Sequence, residues 1–229
     1  MYLSYVENSR LRALVDEWKN AGSIPQEAFD WDRSRANWQR DLAPNSEFIS
    51  QLPKEIDRTF LRTLVANGEN SVMEKFLAVM IWGYGDLGYG SFRVRKMLDS
   101  DGFQEKVATV FEMCQQGAVL DSYVFLSKSK IDQLGPAFGT KIINFFTPRE
   151  VVAPIYDSFI SKWMDIYAKD AFPGGSCSSK VWSRNIYSSY VRFITSHAQK
   201  LECFGEDLEL VIFRDALAQF ETTSRWIGQ

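Results

Sequence analysis

The sequence predicts an all-α protein. Apolar residues recur at helical spacing along almost the whole chain, no stretch alternates convincingly as a strand would, and the pattern breaks at segments rich in glycine and proline. Taken in order, Leu11, Leu14, Val15 and Trp18 mark a first helix. Segment 22–46 carries Gly22, Pro25, Pro44 and Asn45 around Phe29, Trp31 and Trp38, and reads as a mostly irregular connector. Met73, Phe76, Leu77, Met80 and Ile81 form the next stripe, which segment 82–91 interrupts with four glycines and three aromatics. Phe103, Val107, Val110, Phe111 and Cys114 follow, then Ile160, Trp163, Met164 and Tyr167, then Tyr187, Tyr190, Val191, Ile194, Ala198 and Leu201. Segment 171–179 is a surface loop by composition. Leu210, Phe213, Leu217 and Phe220 belong to a closing helix, whose acidic first turn of Glu206 and Asp207 suits the positive end of the helix dipole. The stripes add up to roughly nine to eleven helices. Their ordinary meaning is core packing, since periodicity is a burial signal.

A chain of 229 residues can bury a substantial core without covalent staples. No apolar run approaches the length of a membrane span, and Met1–Lys19 mixes Glu7, Arg10, Arg12, Asp16 and Glu17 into its apolar positions, unlike a signal peptide. Cys114, Cys177 and Cys203 are odd in number and widely spaced, which offers neither a disulfide framework nor a CxxC metal or redox site. A reducing cytoplasm is the expected setting and a monomer the expected state. The net charge of −3 argues mildly against nucleic acid as a partner, although an acidic chain can still carry a local basic face. His197, the single histidine, lies within a helical stripe with no metal-ligand motif nearby and reads as structural.

Chemistry concentrates in Ser127–Pro148, SKSKIDQLGPAFGTKIINFFTP. Ser127 or Ser129 can cap a short helix through Leu134; Gly135 and Pro136 stop it, and Gly139 opens a second helix to about Phe146. The backbone N–H groups at the second helix's start suit a phosphate oxygen, or a monovalent cation bridging to one. Lys141 is expected in that first turn, where the dipole disfavours an ammonium. Such a placement makes sense for an amine that must sometimes be neutral and nucleophilic.

Leu134–Lys141, LGPAFGTK, resembles the hairpin of the helix-hairpin-helix DNA glycosylases, and Gly139-Thr140-Lys141 resembles the 8-oxoguanine DNA glycosylase branch, in particular its compact bacterial members. The resemblance extends more weakly over about residues 70–215. It implies a helix-hairpin-helix glycosylase fold over 1–229, with a helical subdomain of about 70–150 containing the hairpin at 127–147, a second subdomain built from 1–69 and 151–229, and the active-site cleft between them. It also implies that Lys141 attacks C1′ of a damaged nucleotide and that an aspartate after the hairpin stabilises positive charge on the sugar. Asp157, sixteen residues after Lys141, is the candidate. Asp157 also reads as a helix N-cap, and the two roles are compatible, because a carboxylate held by helix N–H groups stays ionised. Two departures stand out. Ala137 replaces the family's first hairpin glycine, which would force a rearranged or strained left-handed backbone. Phe145 stands where the 8-oxoguanine enzyme keeps a base-sandwiching cysteine. The cysteine quartet that holds an iron–sulfur cluster in endonuclease III relatives is missing, so no cofactor is expected.

For DNA contact the resemblance points to hairpin positions Gly135, Ala137, Gly139 and Thr140. Residues 80–98 take the place of the helix-loop-helix that wedges into DNA. There Trp82, Tyr84 and Tyr89 are candidates for stacking on bases, and Arg93, Arg95 and Lys96 for holding phosphates; the alternative is a tight connection whose aromatics bury inward. Lys128 and Lys130 either add phosphate contacts or solvate a helix face. Trp31, Asp86, Phe145, Arg184 and Tyr187 are the base-pocket candidates, with core packing an equal reading for the aromatics. The implied partner is double-stranded DNA with a modified base: 8-oxoguanine, or a bulky phage base such as glucosylated hydroxymethylcytosine, since some compact bacterial relatives serve in defence. A non-catalytic module that keeps the hairpin for phosphate contact is the competing reading.

Overall fold

The structure, a computed structural model, describes residues 5–26 and 28–224. These residues form twelve α-helices and one minimal antiparallel pair, bearing out the all-α expectation. In chain order they are α1 (Tyr5–Asn20), β1 (Phe29–Asp30), α2 (Asp32–Asp41), α3 (Ser46–Gln51), β2 (Glu55–Ile56), α4 (Arg58–Ala66), α5 (Val72–Tyr84), α6 (Gly90–Leu98), α7 (Phe103–Gln115), α8 (Val119–Lys128), α9 (Pro136–Phe146), α10 (Ser158–Tyr167), α11 (Arg184–Leu201) and α12 (Gly205–Ser224). Phe29 faces Ile56 and Asp30 faces Glu55 across the pair. The count exceeds the sequence expectation because α2, α3 and α4 are short. Helix α2 buries only Ser34 and Trp38, too sparse a stripe to register. Segment 22–46 is therefore helical over its second half, from Asp32, and, β1 apart, irregular before it.

The chain divides into two compact units. One comprises the chain up to Ile24 together with the chain from Arg149 onward; the other is Pro25–Pro148. In the Pro25–Pro148 unit, α5 is the central element. Phe76 through Ile81 are wholly buried, so this helix is apolar on every side, as a core helix must be. It begins with a capping box: the Ser71 hydroxyl accepts from Glu74 N–H, and the Glu74 carboxylate accepts from Ser71 N–H. Helices α4, α6, α7 and α9 pack around it.

In the other unit, α12 packs against α1, α10 and α11. Asp215 on α12 ties three of these together. Its carboxylate accepts from the Arg10 guanidinium at 2.7 Å, Trp163 Nε1 at 2.6 Å and Gln219 Nε2 at 2.8 Å. His197 is buried on α11, with Nδ1 2.8 Å from the Phe193 carbonyl. Burial pushes the Cys177 and Cys203 thiols up to about 11, so neither is a ready nucleophile at neutral pH.

Gly90, the first residue of α6, is held by its neighbours. A Cβ there would stand 2.8 Å from Cβ and Cγ of Tyr84 and 2.9 Å from Cζ2 of Trp38. Glycine to alanine in a helix ordinarily gains about 1 kcal/mol. Here both neighbouring rings are buried and have nowhere to go, so we expect Gly90→Ala to reverse that sign and destabilise by about 1–3 kcal/mol. Urea midpoints of the two proteins check this.

Candidate active site

The lysine-bearing helix starts earlier than its sequence suggests. Helix α9 begins at Pro136, with Gly135 as an extended N-cap, and proline suits a first helical position because its missing N–H needs no partner. Gly139 is inside the helix, its N–H bonded to the Gly135 carbonyl at 2.9 Å. Thr140 is wholly buried, and its hydroxyl donates to the Ala137 carbonyl. The outward donors of this turn are thus the N–H groups of Ala137 and Phe138, which precede the first intrahelical bonds, and not groups of Gly139 or Thr140.

Three further expectations about the hairpin are corrected. No helix runs through Leu134: Ser127 and Ser129 close α8, donating back to the Val124 and Phe125 carbonyls. The left-handed backbone falls on Lys130 (φ 49°) and Gln133 (φ 59°), while Ala137 sits in helical backbone, so the missing glycine forces no strain there. Lys141 is the sixth helical residue, beyond the first turn in which the dipole's end charge acts.

Two aromatic rings stand beside Lys141. The residue is half-buried on α9, with Nζ 5.4 Å from the ring centre of Phe138 and 5.9 Å from that of Trp82. Its stem crosses α5 at Gly83, where a Cβ would come within 3.0 Å of Lys141 Cδ and of Phe138 Cε1. Behind it, Phe145 meets Trp82 edge-on at 4.9 Å, and the Arg62 guanidinium covers Phe145 at 5.2 Å. Arg62 also finishes the helix: it donates to the carbonyls of Asn144 (2.9 Å) and Thr147 (2.8 Å) and to Asn144 Oδ1 (3.2 Å). A cation is well placed at the negative end of the α9 dipole.

Asp157 belongs to the other unit and is the N-cap of α10. Its Oδ1 accepts from the N–H groups of Phe159 and Ile160, both at 3.0 Å. It is half-buried and follows a buried run, Ala153–Tyr156, which belongs to no helix or strand. Two hydroxyls brace that run: Tyr187 donates to the Pro154 carbonyl at 3.1 Å, and Tyr156 donates to the Cys177 carbonyl at 2.6 Å. Tyr190 packs its ring 4.7 Å from that of Tyr156. Burial pushes the Tyr190 phenol well up, and the Glu209 and Asp157 carboxylates add to this.

Several aromatic candidates pack inward and are corrected as binding residues. Helix α5 continues to Tyr84, so Trp82 and Tyr84 are core residues; Tyr84 stacks on Phe138 at 4.0 Å. Trp31 is wholly buried with Nε1 on the Pro53 carbonyl. Phe145 and Tyr187 are likewise interior. Asp86, Tyr89, Arg93, Arg95, Lys128, Lys130 and Arg184 are exposed, and Lys96 is half-exposed. Of these, the α5–α6 turn and α6 gather a distinct face. Leu87, Tyr89 and Phe92 are each close to half exposed (46%, 49% and 48%), unusual for apolar side chains, and cations lie on the two aromatic rings. Arg93 covers Tyr89 at 4.9 Å, while Arg95 and Lys96 reach Phe92 at 5.7 and 5.9 Å.

Sequence reasoning missed Leu87 and Phe92. Helix α6 buries Ser91, Val94 and Met97, and Phe92 falls off that stripe. An apolar residue on the polar face of a short helix was the available signal.

The family model described as "Putative 8-oxoguanine DNA glycosylase OGG-like protein" matches residues 22–213, more than four-fifths of the chain and both Lys141 and Asp157. No curated protein and no solved structure matches the chain.

Arg62 is the testable support of the α9 end. Its carbonyl acceptors belong to buried residues, so Arg62→Ala should destabilise by about 2–4 kcal/mol. Arg62→Lys should recover only part, because an ammonium cannot span the fork of acceptors. Chemical denaturation of the three proteins measures both steps.

Proposed function

The chain belongs to the 8-oxoguanine DNA glycosylase OGG-like family and is a DNA glycosylase, and from that premise we propose that it removes a modified base from duplex DNA with Lys141 as nucleophile and Asp157 as the charge-stabilising carboxylate. The observation that carries this reading is the survival of both groups, in family order, on anchored elements. Lys141 projects from a helix closed at its far end by Arg62, and Asp157 is fixed by two helix N–H groups.

The chemistry follows from these groups. An everted nucleotide presents C1′ to the Lys141 amine. As the C1′–N bond to the base lengthens, positive charge grows on the deoxyribose, and an anchored carboxylate stabilises it without reorganising. The amine forms a bond to C1′, and the base departs with the bonding electrons and takes up a proton. Loss of the amine's own proton and opening of the sugar ring give a protonated Schiff base. Water returns it to an abasic site, or loss of the 3′ phosphate by elimination nicks the strand. The Leu87–Lys96 face supports DNA engagement. Exposed apolar side chains fill the gap left by an everted base, at a cost of a few kcal/mol in unstacking, and Arg93, Arg95 and Lys96 meet phosphates.

Phe145 lies in the core behind Trp82, so the base-sandwiching position of the 8-oxoguanine enzyme is not reproduced. Phe145 therefore does not choose between 8-oxoguanine and a bulky modified pyrimidine such as glucosylated hydroxymethylcytosine, and both go into the test.

A panel of oligonucleotides and phage genomes scored for abasic sites identifies the base. On the substrate so found, Lys141→Gln should abolish the covalent complex trapped by borohydride. Asp157→Asn should slow base release by about 10²–10³-fold. Full activity in either variant refutes the pair. Salt-sensitive binding with no base release on any substrate supports the non-catalytic reading instead.

A further inference from the structure

We infer that Tyr187 is a positioning residue for Asp157, acting through the Pro154 carbonyl; the inference rests on the proposed role of Asp157. Ala153, Pro154, Ile155 and Tyr156 are all buried, yet they join no helix or strand that would take up their backbone polar groups. Buried carbonyls need donors, and a proline cannot donate an N–H in return. The donor to Pro154 is the Tyr187 hydroxyl, 3.1 Å away on a ring with no exposed surface.

Tyr187 is itself firmly placed. It lies in the first turn of α11, an eighteen-residue helix whose N-cap Ser183 accepts from Ile186 N–H. Three residues on, Tyr190 presses its ring against Tyr156 from the same helix face. The Tyr156 hydroxyl carries the brace onward to the Cys177 carbonyl. Asp157 is extended (φ −113°, ψ −170°) before α10 begins. It stands three residues after Pro154 at the end of a buried run, so a shift at Pro154 passes along that short run to the Asp157 Cα. The α10 amides fix the carboxylate's orientation, and the tyrosines fix where that helix end stands. Sequence reasoning placed Tyr187 in the base pocket; its hydroxyl faces backbone instead.

The test reads the carboxylate's effect on positive charge, independently of which base is excised. Two otherwise identical duplexes carry, at one position, either a pyrrolidine abasic nucleotide, whose ring nitrogen is protonated, or its neutral tetrahydrofuran counterpart. Wild type should prefer the charged duplex by at least about tenfold, as enzymes prefer mimics of their transition states. Asp157→Asn should erase the preference. Tyr187→Phe, which keeps the ring and removes the hydroxyl, should lower the ratio about threefold or more while affinity for the neutral duplex holds within about twofold. Tyr156→Phe, which releases the Cys177 carbonyl, should shift the ratio the same way and decides the matter if Tyr187→Phe does not fold. An unchanged ratio in a folded variant overturns the inference, and so does an equal loss on both duplexes, which marks a purely structural role. No preference in wild type, or a preference that survives Asp157→Asn, overturns instead the assignment of Asp157 on which the inference stands.

Discussion

Every helix leaves N–H groups at its start and carbonyls at its end without partners inside the helix, and the side chains around the candidate site take up these groups. Arg62 takes the last carbonyls of α9, Asp157 takes the first amides of α10, and Tyr187 takes a carbonyl of the buried run before α10. Satisfying buried backbone and orienting reactive side chains are one task in this chain. An N-capping carboxylate gains about 1 kcal/mol of stability for its helix, and the same two bonds hold its oxygen in a fixed direction. Capping is therefore compatible with the role proposed for Asp157: the cap supplies the preorganisation that a charge-stabilising group would require.

A second constraint is space around α5. A helix apolar on all sides must be surrounded, and large rings do most of the surrounding, so the helices approach closely only where a side chain is missing. Gly83 lets the Lys141 stem and the Phe138 ring lie against the α5 backbone, and Gly90 lets Tyr84 and Trp38 close over the start of α6. The Lys141 amine thus stands beside aromatic rings fixed by the core, not by a surface loop. The same packing explains why α6 has a spare face. Ser91, Val94 and Met97 satisfy the core, which leaves Phe92 with its two cations turned outward.

Much of this was legible in the sequence, and the failures share a cause. Long stripes such as those of α7 and α11 revealed their helices because burial on one face imposes the period. The N-cap at Asp157 was legible because an acidic residue ahead of an apolar stripe writes itself locally. The helix start at Pro136 was misplaced because a proline both ends a helix and opens one, and only the N-terminal position of the ring distinguishes these. The aromatics were harder. Trp82, Tyr84, Trp31, Phe145 and Tyr187 lie inside while Tyr89 and Phe92 lie outside, and composition cannot sort them, since the same ring serves a core or a base. Helical phase can sort those within helices. Counting Phe92 against the buried stripe of α6 separates it, whereas Trp82 on an all-round apolar helix has no polar face to occupy.

The net charge of −3 is a sum over the chain and does not describe how charge is distributed on its surface. Asp215 is committed to Arg10 and Trp163, Asp32 to Arg35, and Asp207 to Arg149. Burial raises the Asp207 carboxyl against the pull of that arginine. Asp41 accepts from Arg40 and the Ser91 hydroxyl, which holds its carboxyl low. These charges are neutralised within a few ångströms. By contrast Arg93, Arg95 and Lys96 rest on ring faces, which attract a cation without cancelling its charge. In physiological salt, fields decay over about 8 Å, so a phosphate approaching α6 responds to the cations there and not to the sum over the chain. An acidic protein can present a locally basic face where several cations cluster on one short helix and rest on its exposed rings.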